Sequence, residues 1–148
     1  MIFKKSTRYA LYAAMELARA DPGGQVTVTR VAARYSIPVA VLAKVLQRLV
    51  RSGIAVGTRG VRGGYSLVKK PSELTVLDVI EAFEPSRRPE QCLLREDQEG
   101  LCEERTLCRL RKLCDEVEQL TRCTYASVTL ETLVGSRPRQ GLVLRVVK

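Results

Sequence analysis

The 148-residue sequence contains no histidine and no tryptophan, and it has only two phenylalanines. Without histidine, the chain cannot form a serine-type triad, use histidine as a general base or ligate a metal through imidazole. The scarcity of large aromatic side chains argues against a pocket for a large aromatic cofactor. Since neither a nucleophile–base pair nor an acid–base carboxylate cluster is visible either, we expect a protein that is not an enzyme.

Long apolar runs are also missing. The longest is Tyr9–Met15, which Glu16 ends, whereas a membrane span needs about 20 apolar residues. The run resembles a signal peptide only weakly, because Arg8 and Glu16 bracket it and it contains two tyrosines. We therefore expect no membrane association and a cytoplasmic location, in which the five cysteines are thiols rather than a disulfide framework.

The charge is unevenly distributed. Residues 1–72 contain 13 Lys or Arg and two acids, whereas residues 73–148 contain 12 bases and 14 acids. A basic first half joined to a near-neutral second half indicates one module that binds a polyanion and one with a different role.

Apolar periodicity and turn signals predict a mainly α fold with a small β hairpin. The predicted helices are a first helix capped by Ser6 or Thr7, then Arg30–Tyr35 capped by Thr29, Val39–Ser52 with Pro38 at its first position, a helix from a Thr75–Asp78 capping box to Phe83, Leu107–Thr124 and Thr129–Val134. Residues 26–28 are predicted to be extended, and the predicted strands are Ile54–Val56 and Tyr65–Val68.

A short helix, a tight turn, a longer helix and a basic, glycine-tipped hairpin are the layout of a winged helix-turn-helix. Small or polar residues near the start of the second helix would let it enter the major groove, and arginines in the wing would reach the minor groove. The predicted DNA contacts are Arg8, Ala40, Ala43, Lys44, Arg48, Arg59 and Arg62. The alternative is that these cations only keep a helix face and a hairpin soluble.

All five cysteines lie between Cys92 and Cys123, separated by nine, five, five and eight residues. No pair has two intervening residues, which argues against a zinc ribbon and against a thioredoxin-like redox pair. Thiolates at such wide spacings can converge on an iron–sulfur cluster. A buried, inert thiol is the alternative, and it suits Cys123 best.

A coiled-coil-like seam overlaps the second half of the cysteine region. Leucine, valine and threonine recur there at three- and four-residue steps, at Leu110, Leu113, Val117, Leu120 and Thr124. Two heptads are too short to form a coiled coil alone, so the seam must pack on the rest of the chain or on a second subunit.

Four stretches resemble the Rrf2 family of bacterial transcription regulators. They are the opening Ser6–Leu11, the wing Arg59–Tyr65, the apolar pattern of Val76–Ala82 and the closing Thr129–Val134. The resemblance covers roughly residues 1–135. It implies a homodimer whose winged helices bind a palindromic promoter site in double-stranded DNA, a long dimerisation helix, and a cysteine loop that holds a [2Fe-2S] or [4Fe-4S] cluster.

The resemblance also implies the cluster ligands. Family clusters use three cysteines, the last two separated by five residues and the third near the start of the dimerisation helix, which favours Cys92, Cys102 and Cys108. Some members add a histidine one helical turn after the third cysteine, where this chain has Arg111. Others use an acidic residue near the partner's N-terminus, where this chain has Arg8. Cys114 is the leading substitute for the fourth ligand.

These inferences predict three regions: a winged helix-turn-helix domain over residues 1–72, a cysteine loop and dimerisation helix over 73–135, and a tail over 136–148. The expected function is a DNA-binding transcriptional regulator that senses iron–sulfur, redox or nitric oxide status. One alternative replaces the cluster with a thiol–disulfide switch. Another is a small iron–sulfur electron carrier, although a carrier needs no wing. A zinc-stabilised interaction protein is a further alternative.

Overall fold

The structure is a computed structural model, and it describes residues 3–21, 23–60, 63–85 and 109–135. The chain is mainly helical with one antiparallel hairpin, as the sequence predicts. The elements are α1 (Lys5–Ala18), α2 (Val28–Tyr35), α3 (Val39–Arg51), β1 (Ala55–Thr58), β2 (Gly64–Leu67), a 3₁₀ turn (Pro71–Glu73), α4 (Val76–Phe83), α5 (Arg109–Ala126) and α6 (Leu130–Val134). In these described ranges no helix combines the length and the apolar character that a membrane crossing requires.

The core is built around α1. Its buried face carries small side chains that let α3, α4 and α6 pack closely against it, at Ala10, Ala13 and Ala14. The α3 helix contributes its apolar stripe, Leu42, Val45, Leu46 and Leu49. The core continues past residue 72 into α4 and α6, through Val79, Phe83 and Leu130. One core therefore spans residue 72, and the division of roles predicted there stays a prediction.

The start of α1 differs from the prediction. The N-cap residue is Lys4, and the buried Thr7 hydroxyl donates to Oε1 of Glu84 at 2.5 Å instead of accepting from the helix. The backbone N–H of Lys4 donates to the same carboxylate oxygen at 2.9 Å. The predicted Ser6 or Thr7 cap is wrong because a distant carboxylate satisfies this helix end, and no local pattern reveals that partner.

The helix-turn-helix begins earlier than predicted. Thr27, not Thr29, is the N-cap of α2, and its hydroxyl accepts from the N–H of Arg30 at 3.3 Å. Of the residues predicted to be extended, Val26 pairs with Tyr65 through two backbone hydrogen bonds of 2.9 Å and Thr27 has extended backbone dihedrals, whereas Val28 is already the first residue of α2. Pro38 is the N-cap of α3 rather than its first residue.

The cap of α4 agrees with the sequence, whereas Thr129, predicted to begin the last helix, is instead the N-cap of α6. Thr75 and Asp78 form the predicted capping box at α4, with N–H to side-chain distances of 2.7 and 3.2 Å. Thr129 caps α6 by accepting from the N–H of Thr132 at 3.1 Å. The two caps are joined by a short antiparallel bridge between Thr75 and Thr129, which holds the starts of α4 and α6 side by side.

The hairpin is displaced slightly from the predicted strands. Ala55 pairs with Leu67 and Thr58 pairs with Gly64, so that Ile54 and Val68 fall just outside the strands. Ile54 is nevertheless buried beneath α3. Its burial orients the whole hairpin as a wing beside that helix.

The seam of α5 is not covered by the part of the chain that the structure describes. Leu110, Leu113, Val117 and Leu120 are 47–69% exposed, and none of the described residues of α5 is buried. The helix contacts α4, where Arg122 forms an ion pair with Glu81. Its last turn reaches the N-terminal end of the chain, with the Tyr125 and Phe3 rings 5.7 Å apart.

Candidate nucleic-acid interface and the cysteine region

The turn between α2 and α3 sets the recognition helix at the surface. Ser36 ends α2 in the left-handed conformation, at φ 52°, and Ile37 donates its N–H to the Ala32 carbonyl at 3.0 Å. Ile37 is buried, so the turn is held by the core rather than by solvent-exposed contacts. This anchors α3 at its N-terminal end, where a recognition helix meets bases.

The outward face of α3 carries the residues predicted to meet DNA. Ala40 and Lys44 are exposed, and Ala43 is half-buried. The opposite face is the buried leucine and valine stripe, which fixes the rotation of the helix about its axis. The small alanines leave the backbone open to close approach, and Lys44 supplies a cation beside them.

The wing depends on two glycines. Gly60 has φ 119°, a conformation that side-chain-bearing residues rarely adopt. At Gly63 a Cβ atom would lie 2.4 Å from the Thr58 carbonyl oxygen, so only glycine fits. The turn they make holds Arg59 exposed at the wing. The second predicted wing cation, Arg62, lies outside the described residues.

A groove of about 670 Å³ separates α3 from the wing. The Arg51 and Arg59 side chains stand on its two walls, and Thr27 and Thr29 add hydroxyl groups from the start of α2. Cations and hydroxyl donors on both sides of an open groove match the phosphates of a nucleic-acid backbone. In the sequence, Arg51 is a basic residue of the predicted helix Val39–Ser52 and is therefore available for phosphates, whereas no pattern places Thr27 and Thr29 beside it.

Two other predicted DNA contacts lie away from the groove. Arg8 is exposed on the first turns of α1. Arg48 lies on α3, but its Nε donates to the Ala82 carbonyl at 2.7 Å and its guanidinium lies 4.8 Å from the centre of the Phe83 ring. The structure therefore places the Arg48 guanidinium against α4.

A buried acid missed by the sequence reasoning joins α1 to α2. The Glu16 side chain is 3% exposed and accepts hydrogen bonds from Arg19 at 2.5 Å and Tyr35 at 2.9 Å, while Arg34 lies 3.3 Å away. Tyr35 in turn stacks on Tyr12 with ring centres 4.7 Å apart. Glu16 lies within an apolar helical stripe. A charged residue at such a position predicts a buried carboxylate with charged partners, and this was the sequence signal that could have found it.

The balance of effects keeps Glu16 ionised. Burial alone would raise the pKa of this carboxyl, but the hydrogen bonds from Arg19 and Tyr35 and the charge of Arg34 outweigh it and lower the pKa below its ordinary value. The hydrogen bond with Glu16 raises the pKa of the Arg19 guanidinium. The α1–α2 contact is thus an ion pair at neutral pH.

Three of the predicted cluster ligands, Cys92, Cys102 and Cys108, lie outside the described residues. Cys114 is a half-buried free thiol on α5. Cys123 is an exposed free thiol, so its interpretation as a buried, inert residue is wrong. Helix α5 turns it outward because none of the described residues of that helix packs into the core.

The described part of the chain does not contain a complete metal site. No group of three or more cysteine and carboxylate side chains comes together there. At Arg111 the resemblance described above implies a histidine ligand in some family members. In this chain the Arg111 guanidinium lies 3.8 Å from the Asp115 carboxylate. Of the predicted ligands, only the Cys114 thiol falls among the described residues.

A recognition helix anchored by a tight turn, a glycine-built wing and cations across the groove between them define a winged-helix DNA-binding protein. The model of the Rrf2 family, described as an iron-dependent transcriptional regulator, matches residues 3–136. The chain belongs to the Rrf2 family.

Individual relatives agree with this assignment. The transcriptional regulator BadM of Rhodopseudomonas palustris is 36% identical over 134 residues, which cover 90% of this chain and 81% of BadM. The regulator IscR of Photorhabdus laumondii is 31% identical over 130 residues, covering 88% and 77%. The solved structure of CymR, the global cysteine regulator of Bacillus subtilis, is similar with a TM-score of 0.74 at 23% identity, covering 93% of this chain and 99% of CymR.

The family confirms several predictions. The chain is a transcriptional regulator of winged-helix fold, and its relatives are regulators rather than enzymes. An iron–sulfur electron carrier, one of the sequence-based alternatives, does not fit this family.

Proposed function

We propose that this regulator is a homodimer that binds a palindromic promoter site and adjusts its DNA affinity to iron–sulfur, redox or nitric oxide status through a cysteine-ligated iron–sulfur cluster. The position of α4 carries the proposal. The chain leaves the end of α4 toward Cys92 and returns as α5, which packs on α4. Because α4 is itself part of the DNA-binding core, both flanks of the cysteine region touch the module that binds DNA.

The DNA contacts in the proposal follow the exposed face. Ala40, Ala43 and Lys44 on α3 approach base edges, and Arg59 together with Arg62 approaches the minor groove beside them. Arg51 on the wall of the groove contacts phosphate. The protein works in the cytoplasm, where a bacterial regulator meets its promoter.

The dimer is supported by the uncovered stripe of α5. Four large apolar side chains on one helix face remain 47–69% exposed, and contiguous apolar surface of this kind marks an interaction site. A second copy of the same stripe covers it in a two-fold arrangement. Two winged helices then meet two half-sites about one DNA turn apart.

The cysteine set suits an iron–sulfur cluster. Thiolates are the ligands that such clusters prefer, and Cys92, Cys102 and Cys108 with Cys114 as the fourth provide four of them. When bound, the cluster supplies a ligation and redox state that responds to oxidants and nitric oxide. The described residues are compatible with this set, since Cys114 is a free, half-buried thiol on the helix that follows Cys108.

A thiol–disulfide switch is the second candidate function. The exposed, free thiol of Cys123 favours it, because an accessible thiol can exchange with oxidised partners. In that case the regulator remains a winged-helix dimer, but the cysteines act without iron.

Anaerobic purification followed by reconstitution with iron and sulfide separates the two candidates. The wild-type protein is expected to gain visible absorption, and single changes of Cys92, Cys102 or Cys108 to Ala are expected to abolish it. Cys123→Ala is the matched control and should keep the absorption, while Cys114→Ala decides whether the fourth ligand is this thiol. A wild-type protein that stays colourless would discard the cluster in favour of the thiol switch.

A further inference from the structure

Arg48 binds the end of α4 with two parts of one guanidinium group. Its Nε donates to the Ala82 carbonyl at 2.7 Å, and its central carbon lies 4.8 Å from the ring centre of the next residue, Phe83. The side chain thus spans from the recognition helix to two consecutive residues of α4.

Both contacts are physically favourable. Ala82 lies in the last turn of α4, where carbonyl groups lack a helical N–H partner and carry the negative end of the helix dipole. A guanidinium over an aromatic ring adds a cation–π interaction. Only the planar guanidinium of arginine makes both contacts at once, because the ammonium of lysine is a compact point charge without a planar face.

The same end of α4 is also fixed by α1. Glu84 ends the helix and accepts from the Lys4 N–H at 2.9 Å and from the Thr7 hydroxyl at 2.5 Å. Pro85 follows, and the chain then continues toward Cys92. The recognition helix and the start of α1 therefore both contact residues 82–84, which precede the cysteine-bearing stretch in the sequence.

We infer that Arg48 is a positioning residue that holds the recognition helix against the end of α4 and transmits the state of the cysteines to that helix, rather than a phosphate contact. Its transmitting role rests on the proposed function, whereas its positioning role does not. A change that pulls on Glu84 or Pro85 alters the two contacts of Arg48, and with them the way in which α3 is held.

The salt dependence of DNA binding tests the positioning role in reduced, metal-free protein. The probe is a duplex selected from a random-sequence library by binding to the wild-type protein. Arg48→Ala and Arg48→Lys should each weaken binding about two- to thirtyfold, with the slope of log Kd against log salt unchanged. Arg51→Ala, one turn along the same helix, is the matched control and should reduce that slope by about one phosphate contact.

Phe83→Leu is a second variant, which removes the ring beneath the Arg48 guanidinium but changes no charged residue. It should weaken binding as the Arg48 variants do, again at unchanged slope, with circular dichroism confirming that each variant is folded. A reduced slope for Arg48→Ala, or wild-type affinity for Arg48→Lys, would show that Arg48 contacts phosphate and would overturn the inference.

The transmitting role is read from the ratio of Kd values between iron–sulfide-reconstituted and metal-free protein. In Arg48→Ala this ratio should move toward one while the visible absorption is retained. If the wild-type ratio differs from one and Arg48→Ala keeps it in full, transmission through Arg48 is wrong. If the wild-type ratio is already one, the proposed sensing function fails, and the salt slope alone decides the positioning role.

Discussion

The helices α3 and α5 each carry a stripe of apolar residues along one helical face, yet the stripe of α3 is buried and that of α5 is exposed. In α3 the stripe packs under α1, and Leu42, Leu46 and Leu49 have no exposed surface. In α5 the corresponding stripe remains open, with Leu120 69% exposed. Since both helices belong to one chain, the difference in exposure reflects what each stripe packs against.

This difference separates folding from assembly. The α3 stripe completes the core of one subunit, which leaves the opposite face of the helix free for DNA. The α5 stripe finds no partner in the described part of its own chain, so its apolar surface is available for association. Changes in the two stripes should therefore act on different properties, one on the stability of the fold and the other on the oligomeric state.

The largest expected effect is the loss of the dimer when the α5 stripe is changed. Val117→Asp places one charge from each subunit in the proposed dimer contact. It should abolish the dimer at micromolar concentration, because burying an unpaired charge is very costly. Sedimentation equilibrium measures the change. Gln119→Asp, which adds the same charge on a different face of the helix, should leave the dimer intact. A monomeric wild-type protein would sink the dimer proposal.

The core stripe should respond in the opposite way. Leu46→Ala is expected to cost about 2–5 kcal/mol of the free energy of unfolding, since it removes a fully buried side chain and leaves a cavity. Leu113→Ala on α5 should cost much less in dilute samples in which the subunits are dissociated. Urea unfolding measures both. Equal losses in the two variants under those conditions would contradict the distinction between the stripes.

Changes to the exposed cations of α3 and of the wing should affect DNA binding without affecting stability. Lys44→Ala or Arg59→Ala should weaken binding to the selected duplex by about 1–3 kcal/mol if the side chain meets a base edge. Fluorescence anisotropy measures the affinity, and Lys112→Ala on the exposed surface of α5 serves as the control. Unchanged affinity in both variants would show that the docking arrangement is wrong.

The ion pair that joins α1 to α2 gives the smallest expected effect. Because the pKa of Glu16 is lowered in the folded chain, its contribution is present above the carboxyl's ordinary pKa and is lost as the pH falls through the lowered one. Glu16→Gln should therefore cost about 1–2 kcal/mol at neutral pH, and the gap should close on acidification. Thermal unfolding between pH 7 and about pH 3 checks this. A gap that widens in acid would contradict the sign.

Most of the helices and strands could be predicted from the sequence, because the residues that determine them are close together in the chain. The Thr75–Asp78 capping box, the stripe of α3 and the glycines of the wing each act within a few residues. The errors arose where the partner is distant in sequence. The cap of α1 comes from Glu84, and the buried Glu16 is stabilised by residues of α2 as well as by its own helix.

The candidate site shows the same division. Basic and small residues at helical spacing indicated the DNA face of α3, and the structure places Lys44 exposed on that face and Arg59 exposed at the wing. For Arg48 the periodicity predicted only an outward-facing position. In the folded chain its guanidinium contacts the Ala82 carbonyl and the Phe83 ring of α4. The cysteine spacing indicated a cluster chemically, but three of its four ligands lie outside the described residues.

In the proposed function, the state of the cysteines controls DNA affinity. The decisive measurement is the Kd of the wild-type protein for the selected duplex in its iron–sulfide-reconstituted and metal-free forms at one fixed salt concentration. We expect the two Kd values to differ by at least about fivefold, the lower end of typical allosteric coupling, and Cys92→Ala to remove the difference. Equal affinities of the two wild-type forms, with the cluster demonstrably bound in one of them, would contradict it.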